Sequence, residues 1–199
     1  MNSRFNVTLM IATLLIVAAC SPSATLKPVL DSEGTYSLET RTGIEDIDNV
    51  IAAVASGDRG QLESAINYTT APCTNREGLG GPPKCRAAEA EGTLVEAFPA
   101  VGGEGSFIRK EEISNWTGVD ASALFAVYRV SAEGVQEEYY PRGEYAIVFL
   151  SQGDGPAVTL RIAEGGIVRV DYPLGTTLQD LKKTVEQDAA EVILVPDLR

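Results

Sequence analysis

The sequence predicts an α+β domain, with an N-terminal helix hairpin packed on a curved antiparallel sheet and a further helix at the C-terminus. Three observations predict it. Apolar residues recur at helical spacing between Ile44 and Ile66. From Thr93 to Tyr172 the pattern changes to short runs rich in Val, Ile, Tyr and Phe, the composition of strands. A last helical pattern follows at Leu178–Ala190. The chain has 199 residues, 44% hydrophobic and 22% charged, which suits one globular domain with a tail.

Each element has its own signal. Ile44, Ile47, Ile51 and Val54 mark the first helix, with Thr42 and Glu45 as its expected capping box and Gly57 as its C-cap. A short second helix carries Leu62 and Ile66, with Asp58 as N-cap and Gln61 three residues on. Helices joined this tightly should pack as a hairpin. Residues 67–92 read as one long loop. Strands are expected at Thr93–Phe98, Phe107–Ile108, Ser122–Val130, Glu144–Leu150, Ala157–Ile162 and Ile167–Tyr172, with a short helix at Lys110–Trp116. Turns at Gly153-Asp154-Gly155 and Gly165-Gly166 make the last three strands a meander. Thr177 and Asp180 cap the last helix, Leu178, Leu181 and Val185 form its inner face, and Val192–Val195 is a candidate final strand.

The N-terminus reads as an address. Arg4 precedes an apolar run, Val7 to Val17, of the length of a signal-peptide core and short for a membrane span. Residues 1–19 are therefore expected to be a signal peptide. Residues 20–41 follow as a tether rich in Pro, Ser and Thr, with the domain at 42–199. Flexible, such a tether would hold the domain on the order of 25 Å from its attachment point.

Val17-Ala18-Ala19-Cys20 resembles the lipobox of bacterial lipoproteins. The resemblance implies cleavage before Cys20, a diacylglycerol on its thiol, and a place in the cell envelope on the extracytoplasmic face. Two or three acyl chains hold a protein firmly at about 0.8 kcal/mol per buried CH₂. Cys73 and Cys85 then remain as an even pair, expected to oxidise outside the cytoplasm.

Two further resemblances concern the body of the chain. The order of helix hairpin, loop and antiparallel strands is similar to the cystatin-like cone of the nuclear-transport-factor-two superfamily, whose curved sheet often leaves a pocket. The segments Thr69-Thr70-Ala71-Pro72-Cys73-Thr74 and Gly78-Leu79-Gly80-Gly81-Pro82-Pro83-Lys84-Cys85, with the later Glu144-Tyr145, resemble a family of uncharacterised secreted bacterial proteins over residues 42–172. That resemblance implies a single domain and no particular activity.

Composition excludes several functions. The absence of histidine removes Ser-His-Asp and Cys-His mechanisms and His-ligated zinc or copper. A net charge of −12, from 16 basic and 28 acidic residues, lacks the footprint of a nucleic-acid binder. Glycine and aspartate spacings match neither a P-loop, a dinucleotide fold nor an EF-hand. No cofactor, metal site or catalytic residue is assigned.

Two constellations remain. Arg76, Lys84 and Arg86 gather between Cys73 and Arg86 against Glu77, beside glycines that can turn backbone N–H groups toward an anion. A solvated, disulfide-braced loop is the alternative. Glu137-Glu138-Tyr139-Tyr140, read as a rim strand, places one carboxylate and one phenol on each face. A carboxylate and a phenol on one face then suit ligand stacking or proton transfer, and Glu138 and Tyr139 are taken as candidate ligand-binding residues. Together these features lead to a lipid-anchored module that binds an unknown protein or small anionic ligand, the alternative being a small-pocket enzyme using Glu/Tyr acid-base chemistry. The expected partners are the membrane, through the N-terminal lipid, and no nucleic acid.

Overall fold

The computed structural model describes residues 34–78, 80–102, 105–133, 138–151, 157–173 and 177–197. The signal peptide, Cys20 and the Gly153-Asp154-Gly155 turn lie outside the described residues. Among those described the chain forms an α+β domain around one eight-stranded sheet.

Helix α1, Glu45–Ser56, buries Ile47, Val50, Ile51 and Val54, the stripe its spacing predicts. Gly57 ends it in the left-handed region, φ 64°, donating its N–H to Val54 O. The expected Thr42–Glu45 capping box does not form. Gly43, at φ 82°, folds the entering chain so that Asp48 takes the N–H and hydroxyl of Thr42 at 2.7 and 2.9 Å. Helix α2, Arg59–Ser64, starts as expected, with Asp58 accepting from Gly60 and Gln61 N–H. Ile66 falls beyond it and bridges Ile167 instead.

The expected loop 67–92 opens with a strand. β1, Thr69–Pro72, pairs antiparallel with β2, Leu94–Val101, which pairs in turn with β3, Gly105–Arg109. A 3₁₀ turn, Lys110–Asn115, stands at the expected short helix. Four strands then form the meander: β4 (Ala121–Val130), β5 (Tyr145–Ser151), β6 (Val158–Ala163) and β7 (Gly166–Asp171). The β6–β7 turn lies one residue earlier than expected. Glu164 and Gly165 have φ 51° and 73°, two successive positive values that characterise a two-residue hairpin of the I′ kind. Helix α3, Leu178–Asp188, begins in the predicted Thr177–Asp180 capping box. It stops at Asp188 rather than Ala190, because Ala189 already enters β8, Ala189–Leu194, which pairs with β4.

The sheet order is β1-β2-β7-β6-β5-β4-β8, with β3 on β2. A wholly antiparallel sheet was expected; the structure corrects this at one joint, where β2 runs parallel to β7. Strand alternation gives the sheet two apolar faces. Ile147 and Phe149 of β5 meet α1 and α2 in one core, and Ala146 and Val148 meet Leu181 and Val185 of α3 in the other. Trp116 lies in the first core, edge-on to Phe98, with its indole N–H donating to Tyr172 Oη at 2.7 Å.

Residues 34–41, read above as the end of the tether, are packed on the domain. Tyr36 bridges Leu124 through two 2.8 Å backbone hydrogen bonds, is buried, and donates its hydroxyl to Val195 O. Residues 20–33 of the expected tether lie outside the described residues. Among those described, no helix is long and apolar enough to cross a membrane.

Candidate functional site

Cys73 and Cys85 form the expected disulfide. It closes a loop whose other ties are backbone hydrogen bonds, Thr74 N to Pro83 O and Cys85 N to Thr74 O. The loop is anchored a second time by Arg109. This arginine is 6% exposed, grips both oxygens of Glu89 at 2.7 and 2.6 Å, and donates to Lys84 O. Cys73, Cys85 and Glu89 approach closely enough to suggest a metal, but the two sulfurs are joined to each other and the carboxylate is held by Arg109.

The Arg109 guanidinium, through its hydrogen bonds, holds the Glu89 carboxyl down to about 2 from an ordinary 4.5. The sign follows from that direction. The pair stabilises the fold fully above about pH 4.5 and loses its contribution as pH falls toward about 2. Glu89→Gln should therefore narrow the difference in melting temperature between pH 6 and pH 3, relative to wild type, to a measurable extent. An unchanged difference would show that the clasp has no part in acid sensitivity.

The basic residues of the loop do not share one fate. Arg86 is engaged outside the loop by Glu111 and Glu112, and its hydrogen bond to Glu112 raises its pKa. Lys84 reaches back to Gly80 O at 3.4 Å. Arg76 is exposed, and its side chain has no partner among the described residues. The glycine N–H groups are also partly used, since Gly80 N donates to Gly105 O at 2.9 Å.

The Glu-Tyr segment is a turn rather than the expected rim strand, and Glu137 lies outside the described residues. Glu138 and Tyr139 occupy the turn, and the hydrogen bond from the phenol to Glu138 raises the Tyr139 pKa. Tyr140 is buried instead. Its hydroxyl donates to Gly81 O, 59 residues away, and its ring packs on Phe107. Gly105 leaves space for that ring, as any Cβ there would collide with it. This contact carries the turn to the loop. Arg76, Lys84, Glu138 and Tyr139 consequently line one basin of about 560 Å³, whereas Arg86 lies outside it. Glu77, Glu91 and Glu138 outnumber the two cations of the basin, so the locally basic loop of the sequence becomes a mixed-charge surface.

A second site was not legible in the sequence. It lies between α3 and the sheet, and Arg169 links it to the Glu-Tyr turn, its guanidinium lying over the Tyr140 ring at 5.8 Å. Arg161 of β6 pairs across the ladder with Arg169 of β7, and Thr159 with Asp171. Arg161 Nε donates to Asp171 at 2.9 Å and its Nη1 reaches Asp188 at the end of α3. Arg169 Nε takes the other oxygen of Asp171, and Arg142 Nη2 takes the other oxygen of Asp188 at 2.7 Å. Tyr128 Oη also donates to Asp188, at 2.9 Å. Burial raises the Tyr128 pKa, as does the neighbouring Asp188 charge. Burial by itself raises Asp188, but the Arg161 charge and hydrogen bond outweigh it and the net direction is down. The cluster borders a half-open cavity of about 230 Å³. Its signal was the alternation Thr159-x-Arg161 and Arg169-x-Asp171, which in an isolated hairpin reads as a solvent face.

Compared with protein-family models, with curated proteins and with solved structures, the chain matches none.

Proposed function

We propose that this protein is a lipid-anchored, extracytoplasmic binding module, held at a membrane of the cell envelope through Cys20 and presenting the disulfide-braced basin to a polar ligand or protein partner. The observation that carries the reading is the convergence of Arg76, Lys84, Glu138 and Tyr139 on that basin. The disulfide and the Arg109–Glu89 clasp hold the basin's backbone, while the Arg76 side chain, without a partner among the described residues, remains available. With acids in excess, the basin suits a ligand that both donates and accepts hydrogen bonds, such as a sugar or short peptide, better than a simple anion. The acid-base alternative is less favoured, because Glu138 is exposed in a turn open to water. The cystatin-like likeness belongs to the same proposal. The core of α1 and α2 on one sheet face supports it, and α3 is an addition on the other face.

Mass spectrometry of the unreduced protein from its native membrane tests the anchor. The expected result is a diacylglyceryl peptide beginning at Cys20 and a linked Cys73–Cys85 peptide. An unmodified, uncleaved N-terminus would overturn the localisation. Binding is tested separately by NMR, with a panel of neutral oligosaccharides and short zwitterionic peptides. Perturbation of the Gly80–Lys84 and Tyr139 resonances, lost in Arg76→Ala, supports the basin. A panel without effect there overturns it.

A further inference from the structure

We infer that the cavity between α3 and the sheet is a second binding site, for a small organic carboxylate with a short apolar body. It uses none of the four basin residues Arg76, Lys84, Glu138 and Tyr139, and it does not depend on a membrane anchor.

Charge is the first argument. Among the described residues, Arg142, Arg161 and Arg169 face two carboxylates, Asp171 and Asp188. The cluster keeps one positive charge, within a chain whose net charge is −12. The excess sits where a ligand can reach it. Arg169 binds Asp171 through Nε, which leaves its terminal amino groups without a hydrogen-bond partner among the described residues. Arg161 and Arg169 both line the cavity, and a guanidinium fork matches the two oxygens of a carboxylate.

Thr159 is an independent argument. It is 8% exposed, lines the same cavity, and its hydroxyl has no partner among the described residues. A buried hydroxyl without a hydrogen bond is costly, and a bound oxygen atom would remove that cost. Asp171 is its cross-strand neighbour on β7, so the hydroxyl lies beside the arginine pair.

The remaining walls select the rest of the ligand. Val101, Val148, Leu181 and Val185 are apolar, and Tyr172 and Pro173 also line the cavity. A volume of 230 Å³ lies below the ~300–1,000 Å³ of sites for drug-sized ligands. A carboxylate on a compact apolar body fits; a nucleotide or oligosaccharide does not.

The test uses full-length protein in a maltoside detergent, with methyl groups of Val148, Leu181 and Val185 observed by NMR. Benzoate is the probe. Benzyl alcohol, of the same shape without charge, and inorganic phosphate, charged without an apolar body, are the comparisons. Benzoate should shift these methyls in a saturable way, and the other two should bind at least about tenfold more weakly. Thr159→Val keeps the shape and should weaken benzoate about tenfold, by loss of a hydrogen bond to a charged group. Arg169→Gln should do the same. Absence of benzoate shifts would overturn the inference. So would equal binding of benzyl alcohol or phosphate, or unaltered affinity in both Thr159→Val and Arg169→Gln. The basin is tested by different probes, neutral oligosaccharides and short peptides, read in the wild-type protein and in Arg76→Ala, so failure of one reading is distinguishable from failure of the other.

Discussion

Arg161→Met should destabilise the domain by about 3–5 kcal/mol, from two lost hydrogen bonds to charged groups at about 1.5–3 kcal/mol each. The side chain is 13% exposed and holds two carboxylates at once, Asp171 on the neighbouring strand and Asp188 on α3. Methionine fills much of the same volume, so the loss is mainly electrostatic. Two carboxylates, 14% and 17% exposed, would retain only Arg169 and Arg142. α3 would suffer most, since Asp188 closes its end on the sheet through Arg161, Arg142 and Tyr128. Urea unfolding followed by circular dichroism measures this. Adding Asp171→Asn and Asp188→Asn to Arg161→Met should lower the stability further, because Arg169 and Arg142 would then lose the carboxylates that remain paired with them. A single variant within about 1 kcal/mol of wild type would show the network to be solvated in practice.

Replacing both cysteines of the disulfide by alanine should cost about 2–4 kcal/mol. The bridge spans a sequence separation of 12 and restrains a glycine-rich segment that, once free, has many conformations to lose on folding. The cost should fall on β1 and its partner first. Cys73 N donates to Thr93 O, and Gly92 N donates to Cys73 O, so the bridge sits where β1 leaves the sheet. Cys73 is also 2% exposed, so alanine adds a small packing loss. Denaturant midpoints of the double variant and of reduced wild type should agree. A double variant unchanged within about 0.5 kcal/mol would show that the Arg109–Glu89 clasp alone holds the loop.

Helices were more legible than strands, and the reason is range. The α1 stripe, the Asp58 cap and the Thr177–Asp180 box are set by residues within four positions of each other. β1 was not legible because its partner, Leu94–Ala97, lies beyond a long loop and Thr69–Pro72 is too short to announce itself. The end of α3 was lost for a related reason. Residues 189–190 suit a helix locally, and pairing of Ala189 with Val130 overrides that preference. Of the candidate site residues, Arg76, Lys84, Glu138 and Tyr139 converge and Arg86 does not, because Glu111 and Glu112 of the 3₁₀ turn take it first.

The amino-acid sequence by itself determined the α+β class, an antiparallel meander of at least three strands, the paired cysteines and the exclusion of histidine chemistry. Each rests on composition or on a period shorter than one turn or two strand residues. Only the tertiary structure decided the meaning of the charges. Arg161 and Arg169 alternate with apolar residues as on any solvent-facing hairpin, and become buried because α3, arriving from later in the chain, lays Leu181, Val185 and Asp188 over them. The charge state, hydrogen bonding and accessibility of a polar side chain depend on what covers it, and no local pattern carries that information.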